Sequence, residues 1–311
     1  MPCSRCPAEA VVDRPYAGDR LCAPHFRASV EDRVRREFHR QAPGVRSGTI
    51  GVAISGGKDS AVALALTRQY FARRPTVRVV AISVDEGIAG YRGATLEAAR
   101  ALSRQLDVDH QVVGAREQLG TTTDDAARAL PGVAPCSFCG VWRRQLLNSA
   151  ARQAGADYLV LGFNLDDLAQ TVLMNLARAD LARMGRMAPH RSRQPGLVPR
   201  LAPLASIPER EVFLYAHLAG LPFAHAECPH APRAARNVFR EVLWQLEDQL
   251  PGTRHALLRT QQQVVSLLDR APPVGAPGRC VDCGEPATAA RCRACEYLKS
   301  VATPPVGEVS G

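Results

Sequence analysis

Apolar residues Phe26, Val30, Val34 and Phe38 recur every four positions with arginines between them, which predicts an amphipathic helix ended by Pro43-Gly44. Beyond that break, short apolar runs alternate with segments of helical period. Residues 49–54, 77–84, 108–113 and 158–163 read as strands, and residues 59–72, 94–106, 141–154 and 166–176 as helices. Strands alternating with helices predict an α/β fold, a parallel sheet of right-handed crossovers with helices on both faces. Three more helical patterns follow at 208–219, 232–250 and 253–269. Between sheet and helices, residues 178–200 carry Arg178, Arg183, Arg186, Arg191, Arg193 and Arg200 against the single acid Asp180, a pattern that predicts a basic, mobile loop. The proline- and glycine-rich stretch 271–278 reads as a linker, and the residues after 301 as a disordered tail.

Composition adds that the chain can bury a core: 46% of its 311 residues are hydrophobic and 22% charged. No apolar run approaches the roughly 18 residues of a membrane span, and the start Met1-Pro2-Cys3-Ser4-Arg5-Cys6 shows no apolar leader. A reducing cytoplasm is therefore expected, where ten cysteines serve as ligands or reactive thiols rather than disulfides. The balance of 39 basic against 30 acidic residues, net +9, fits a polyanionic partner as well as an ordinary basic enzyme. Only Lys58 and Lys299 among the 39 are lysines, so a lysine inside a glycine-rich loop stands out.

That loop, Ser55-Gly56-Gly57-Lys58-Asp59-Ser60, joins a predicted strand to a predicted helix. Two glycines let backbone N–H groups approach phosphate oxygens at a helix start. Asp59 where a Walker loop has Ser or Thr would repel phosphates unless Mg²⁺ lies between, so Asp59 is expected to act through the metal. Asp85 and the stretch Gly162-Phe163-Asn164-Leu165-Asp166-Asp167 close two other strands at the same sheet edge, where open parallel sheets hold nucleotides. Asp166 and Asp167 are either helix caps or, Asp167 above all, groups that reach nucleotide or Mg²⁺. Ala53 and Ile82 would offer backbone to adenine.

The cysteines divide into seven and three. Cys3-x2-Cys6-x15-Cys22-x2-His25 and Cys280-x2-Cys283-x8-Cys292-x2-Cys295 each supply the four donors of a tetrahedral structural zinc. Cys136, Cys139 and Cys228 remain. They could ligate three irons of a [4Fe-4S] cluster, form a persulfide and disulfide relay, or lie buried as small hydrophobes. These features divide the chain into an N-terminal zinc module at 1–28, a nucleotide domain with its leading helix at 29–207, a helical part at 208–270 and a C-terminal zinc module at 278–300.

Both cysteine modules, the Ser-Gly-Gly-Lys-Asp-Ser loop, the stretch from Val84 to Arg92, Cys136-Ser-Phe-Cys-Gly-Val-Trp-Arg-Arg144, Gly162 to Leu176 and Glu227-Cys228-Pro229 together resemble the tRNA 2-thiouridine synthetases of the TtuA and Ncs6 group. These are TtcA-like members of the PP-loop ATP pyrophosphatases. The resemblance implies an adenine nucleotide alpha hydrolase-like fold flanked by zinc modules. It implies a tRNA sulfurtransferase that converts ATP to AMP and pyrophosphate, adenylating uridine O2 before sulfur displaces AMP. Carried onto this chain, the catalytic group is Cys136, Cys139 and Cys228, holding a [4Fe-4S] cluster, with Asp59, Arg143 and Asp167. Nucleotide contacts fall to Ala53, Ser55, Gly56, Gly57, Lys58, Asp59, Ser60, Ile82, Asp85, Arg143, Gly162 and Asp167. Arg143 stands where some relatives have Lys, Leu168 where some have Glu, and His230 where Tyr is frequent.

Expected partners are tRNA, a homodimer mate, and a ubiquitin-like sulfur carrier or free sulfide; no membrane is expected. For tRNA phosphates, the helix with Arg33, Arg36 and Arg40, the basic loop and the zinc modules are the expected contacts. The target would be the T-loop uridine at tRNA position 54, with wobble uridine 34 as the alternative. A cytidine at position 32 and a non-catalytic zinc RNA-binding protein are the remaining alternatives.

Overall fold

The computed structural model describes residues 1–190, 194–268 and 278–303. Arg191, Arg193, Asp269, most of the expected linker and the tail beyond 303 lie outside the described residues. Two hairpins open the chain, β1 (Pro2–Cys3) with β2 (Cys6–Glu9) and β3 (Val12–Arg14) with β4 (Asp19–Leu21). Helix α1 (Ala23–Gln41) follows, burying Phe26, Val30, Val34 and Phe38 as the four-residue spacing predicts. The alternating part runs β5 (Gly48–Ala53), α2 (Lys58–Phe71), β6 (Val77–Asp85), α3 (Arg92–Gln105) and β7 (Asp109–Gly114). Helices α4 (Ala115–Leu119), α5 (Thr123–Ala129) and α6 (Pro135–Gln153) lead into β8 (Tyr158–Val160) and α7 (Leu165–Leu176). Then come α8 (Leu181–Gly185), β9 (Arg200–Leu201), α9 (Glu209–Leu218), α10 (Arg236–Gln249) and α11 (Thr253–Leu268). A last hairpin, β10 (Gly278–Arg279) with β11 (Pro286–Ala287), precedes α12 (Arg293–Ala302).

The central sheet has five parallel strands in the order β7-β6-β5-β8-β9. Because the order reverses at β5, a crevice opens beyond its carboxyl end, between it and β8. One face packs Ile50 and Val52 against Phe26 and Val34 of α1, Leu64 of α2 and Val212 of α9. The other packs Val80, Ile82, Val84 and Leu159 against Leu146, Leu147, Ala150 and Ala151 of α6. Each such large side chain, fully buried, stabilises the fold by about 1.5–3 kcal/mol.

Four local expectations need correction. The basic stretch 178–200 is not simply loop, since it carries α8 and leads into the fifth strand, β9. Helix α6 begins at Pro135, not at residue 141, because proline suits the first helical position, where no N–H is needed. The sheet strand expected to end at residue 163 ends at Val160, and helix α10 begins at Arg236 rather than residue 232.

The terminal modules dock on different helices. Around Glu211 of α9, which is 3% exposed, gather Tyr16, Arg33 and Arg14 from the N-terminal part. Arg33 also donates to the Ser206 carbonyl at 3.4 Å and Arg40 pairs with Glu37, so of the three arginines expected to face RNA only Arg36 is exposed and without a partner among the described residues. At the other end, Trp142 Nε1 of α6 donates to the Ala294 carbonyl at 3.2 Å. Asn148 and Arg152, also on α6, both hold Glu285. Among the described residues no helix is long and apolar enough to cross a membrane.

Candidate functional site

The phosphate loop leaves β5 and enters α2 at the crevice. Gly56 has φ +90°, and a Cβ there would lie 1.9 Å from the Thr95 carbonyl oxygen, so only glycine fits. Ser60 Oγ donates to the Gly57 carbonyl at 2.9 Å and accepts from Ser55 N–H at 3.1 Å, which folds the loop around its own hydroxyl. Gly162 approaches from β8 so closely that a Cβ would sit 2.9 Å from the backbone of Asp59 and Ser60. Ile82 is fully buried, and its carbonyl accepts from Ile54 N–H at 2.9 Å, just ahead of the phosphate loop. Its register partner Ala53 is half-buried at the strand end, and Asp85 turns back to accept from Gly87 N–H at 2.9 Å.

Acidic groups converge on the loop. Lys58 Nζ donates to Asp59 Oδ2 at 3.0 Å and to Glu209 Oε1 of α9 at 2.7 Å. Burial works against its charge, but the two carboxylates prevail and raise its pKa. Asn164 Nδ2 donates to Asp59 Oδ1 at 2.9 Å, and its own side chain caps α7 in a capping box closed by Asp167. Asp167 is pushed up to about 6 by burial and by neighbouring Asp59, with Arg236 of α10 opposing. Asp166 turns away: it pairs with Arg254 at 2.9 Å and accepts from Glu209 N–H at 2.8 Å, so it braces α9 and α11.

The cysteines occupy the other side. Cys136 is exposed and Cys139 buried in the first turns of α6, and Cys139 and Cys228 share an apolar cluster with Ile88, Phe138 and Trp142. Burial raises the Cys139 thiol, and Arg143, whose Nη2 lies 3.5 Å from its sulfur, opposes that rise. Arg143 is thus tied to the thiol side and to Glu86 rather than to the phosphate loop. Buried Glu86 joins the two sides, for its other oxygen lies 2.8 Å from Arg92 Nε. Arg92 in turn donates to the Ser55 carbonyl at 2.9 Å, at the root of the phosphate loop.

Glu86, Arg92, Glu209, Asn164 and Arg236 were not among the predicted site residues. Their partners lie on other elements, and only the runs from Val84 to Arg92 and from Gly162 to Asp167, noted as motifs, gave any signal, of Glu86, Arg92 and Asn164.

Each terminal donor set closes on itself: in Cys3, Cys6, Cys22 and His25, and in Cys280, Cys283, Cys292 and Cys295, the four ligand atoms lie within 4.8 Å of one another. Backbone N–H groups, that of Cys292 at 3.2 Å first among them, lower the Cys280 thiol to about 6, which suits a metal-bound thiolate. Cys136, Cys139 and Cys228 form no such tight group.

Known proteins match both the site and its flanks. A PP-loop domain model matches residues 29–247, and the N-terminal LIM domain model of 2-thiouridine synthetase TtuA matches residues 3–27. The tRNA 2-thiolation protein NcsA of Haloferax volcanii is 37% identical over 97% of this chain and 99% of its own. The cytoplasmic tRNA 2-thiolation protein 1 of Bos taurus is 37% identical over 96% of this chain and 88% of its own. Among solved structures, the U34-tRNA thiolase NcsA from Methanococcus maripaludis with its [4Fe-4S] cluster superposes with a TM-score of 0.84 at 31% identity, covering 96% of each chain. With the PP-loop intact, metal-binding cysteine sets at both ends and relatives matched along nearly their whole length, this chain belongs to the PP-loop tRNA 2-thiolation family.

Proposed function

We propose that this protein is a tRNA sulfurtransferase that adenylates O2 of a uridine with ATP and then replaces that oxygen by sulfur. One observation carries the reading: Glu86 links the phosphate loop, through Arg92, to the cysteine helix, through Arg143. Activation and sulfur delivery thus belong to one crevice. In the first step uridine O2 attacks the α-phosphorus of ATP and pyrophosphate leaves; in the second, sulfide attacks C2 and AMP departs with the oxygen. A carbonyl oxygen leaves poorly until AMP is attached, which is why the phosphate chemistry precedes the sulfur chemistry.

The chain's own groups divide that work. Gly56, Gly57 and the start of α2 cradle phosphates, and Lys58 exchanges Glu209 for the leaving pyrophosphate. Asp59 and Asp167, the first of which raises the second's cost of ionisation, fit a divalent cation such as Mg²⁺ between them and the phosphates. Without that cation, the stability Asp167 contributes is full below its unfolded value of 3.8 and is lost as pH rises through about 6. Added Mg²⁺ is expected to restore the thermal midpoint above pH 6 in the wild type and not in Asp167→Asn.

Cys136, Cys139 and Cys228 fit three ligands of a [4Fe-4S] cluster: they are cysteines outside both terminal sets, with Cys139 in an apolar wall that excludes water. When bound, such a cluster supplies an iron position for the incoming sulfide. Arg143 keeps positive charge beside the Cys139 sulfur. The two terminal sets fit structural zinc.

For the target we take the wobble uridine, supported by the likeness to the Methanococcus maripaludis U34-tRNA thiolase. The T-loop uridine is the second reading, supported by the match to the TtuA N-terminal domain. The test is an anaerobic reaction of cluster-reconstituted protein with unmodified tRNA, Mg-ATP and sulfide, followed by mass mapping of RNase fragments. An anticodon 2-thiouridine is the expected product and a T-loop product selects the second reading. Release of AMP and pyrophosphate without a thionucleoside overturns the sulfur step.

A further inference from the structure

Among the described residues, the arginines that brace the fold meet carboxylates. Arg14 meets Asp19, Arg33 meets Glu211, Arg92 and Arg143 meet Glu86, Arg183 meets Asp180 and Arg254 meets Asp166. Arg144 and Arg200 break the rule. Arg144 is exposed and Arg200 half-buried, and neither has a carboxylate partner among the described residues; desolvation and like charge, from Arg143 and Arg183 on Arg144 and from Arg144 on Arg200, lower both pKa values.

Their proximity is built into the fold. Asn148 of α6 donates to the Gly196 carbonyl at 2.9 Å and accepts from Val198 N–H at 2.9 Å, which clamps the approach to β9 onto the helix. Arg200 lies two residues beyond this clamp, and Arg144 lies one turn before Asn148 on α6. Arg200 pairs in parallel register with Leu159, so both point to the sheet face that α6 covers. Beside Arg200 a cavity of about 260 Å³ is also lined by Arg186 and His190, and by no carboxylate. Burial and Arg200 lower His190 to about 4, so it adds no charge near neutrality.

We propose that Arg144 and Arg200 together form a binding site for one backbone phosphate of the RNA substrate, at the cysteine side of the crevice. Two guanidiniums brought close together repel one another until an anion lies between them, and a phosphodiester accepts two N–H donors from each. Arg144 lies about two turns beyond Cys136 on α6, the helix that also carries Cys139, so a phosphate held here lies along the cysteine helix. ATP offers the same chemistry, but its expected cradle is at the end of β5, with β8 between it and β9. This proposal rests on the reading of the protein as a tRNA sulfurtransferase.

The test measures tRNA binding by the full-length protein between about 50 and 200 mM KCl, with ATP affinity measured separately without RNA. Wild type should bind with a steep salt slope. Arg144→Gln and Arg200→Gln should each weaken binding about tenfold at low salt and flatten the log–log slope by about 0.7 to 0.9, the value for one phosphate. The double variant should go no further than either single one, since both groups hold the same phosphate, and Arg200→Lys should keep the slope. ATP affinity and the thermal midpoint should stay at wild-type values in all four.

Variants that keep the wild-type slope overturn the site. Additive losses in the double variant overturn the shared phosphate. Weaker ATP binding with an unchanged slope assigns the pair to the nucleotide instead. A wild type with no salt-dependent tRNA binding sinks the tRNA reading itself, and is seen before any variant is made.

Discussion

The two cysteine modules carry nearly the same donors, three cysteines and a histidine at one end and four cysteines at the other, yet each braces a different side of the crevice by different physics. The N-terminal module and α1 share an apolar core with α9 and add buried charge to it, with Arg14, Arg33 and Tyr16 gathered on Glu211. Two residues earlier on α9, Glu209 pairs with Lys58, so this module supports the phosphate side. The C-terminal module holds α6 through apolar contact, a neutral hydrogen bond from Trp142 and one half-exposed ion pair. Helix α6 carries Cys136, Cys139, Arg143 and Arg144, so that module supports the sulfur side. Similar local motifs therefore do different work according to the helix each one meets.

The strongest way to break this comparison is to remove one metal at a time. Metal binding contributes an apparent ~10–16 kcal/mol to modules of this size, so Cys292→Ser should unfold the C-terminal segment. Thiolation is expected to fall by about 10²-fold as α6 loses its support, with ATP affinity nearly unchanged. Cys22→Ser should instead weaken ATP binding. Metal content by emission spectroscopy, nucleotide binding and thiolation distinguish the two; if both variants fail in the same way, the division of labour is wrong.

The next effect is confined to the N-terminal side. Glu211 is 3% exposed, and Glu211→Gln leaves Arg33 buried without its counter-charge, while Arg14 keeps Asp19. A loss of about 3–5 kcal/mol in urea unfolding is expected, because the uncompensated Arg33 charge stays desolvated. A loss below about 1 kcal/mol would mean that the arginines reach water and that the network is a surface feature.

The comparison also marks what could be read from sequence. Donor spacing within each module is local, and both sets assemble as read. So does the alternation that yields the parallel sheet, because each strand and helix shows its own period. The partners across the fold were not legible: nothing near Glu211 in the chain points to Arg33, 178 positions away, and nothing near Glu86 points to Arg143. Two-residue β9 is too short to show a period. The early start of α6 was legible in principle, since Pro135 is a favoured first helical residue, but the cysteine and glycine content of the following turn masked the helical pattern.

On the C-terminal side a smaller effect is expected from Trp142→Phe. It keeps most of the apolar contact with Phe138 and Ala294 but removes the Nε1–H donor to the Ala294 carbonyl, an effect of about 1–3 kcal/mol if that carbonyl finds no other partner. Because the bond joins α12 to α6, faster hydrogen exchange should be confined to those two helices. Spread of the change into α9 would contradict separate bracing.

The smallest expected effect is the most discriminating about mechanism. Arg152 and Glu285 form an ion pair whose side chains are 38% and 15% exposed. Water and salt screen such a pair, and Arg152→Gln is expected to change stability by only about 0.2–1 kcal/mol, with the difference shrinking as ionic strength rises. Asn148 also donates to Glu285, at 3.3 Å, so the carboxylate keeps a partner after the substitution. The loss from Glu211→Gln, by contrast, is expected to persist in high salt, because that network is closed to solvent. Urea midpoints of the two variants at low and high salt therefore separate buried-charge bracing from screened bracing. Equal salt sensitivity would show that both modules dock by the same surface electrostatics.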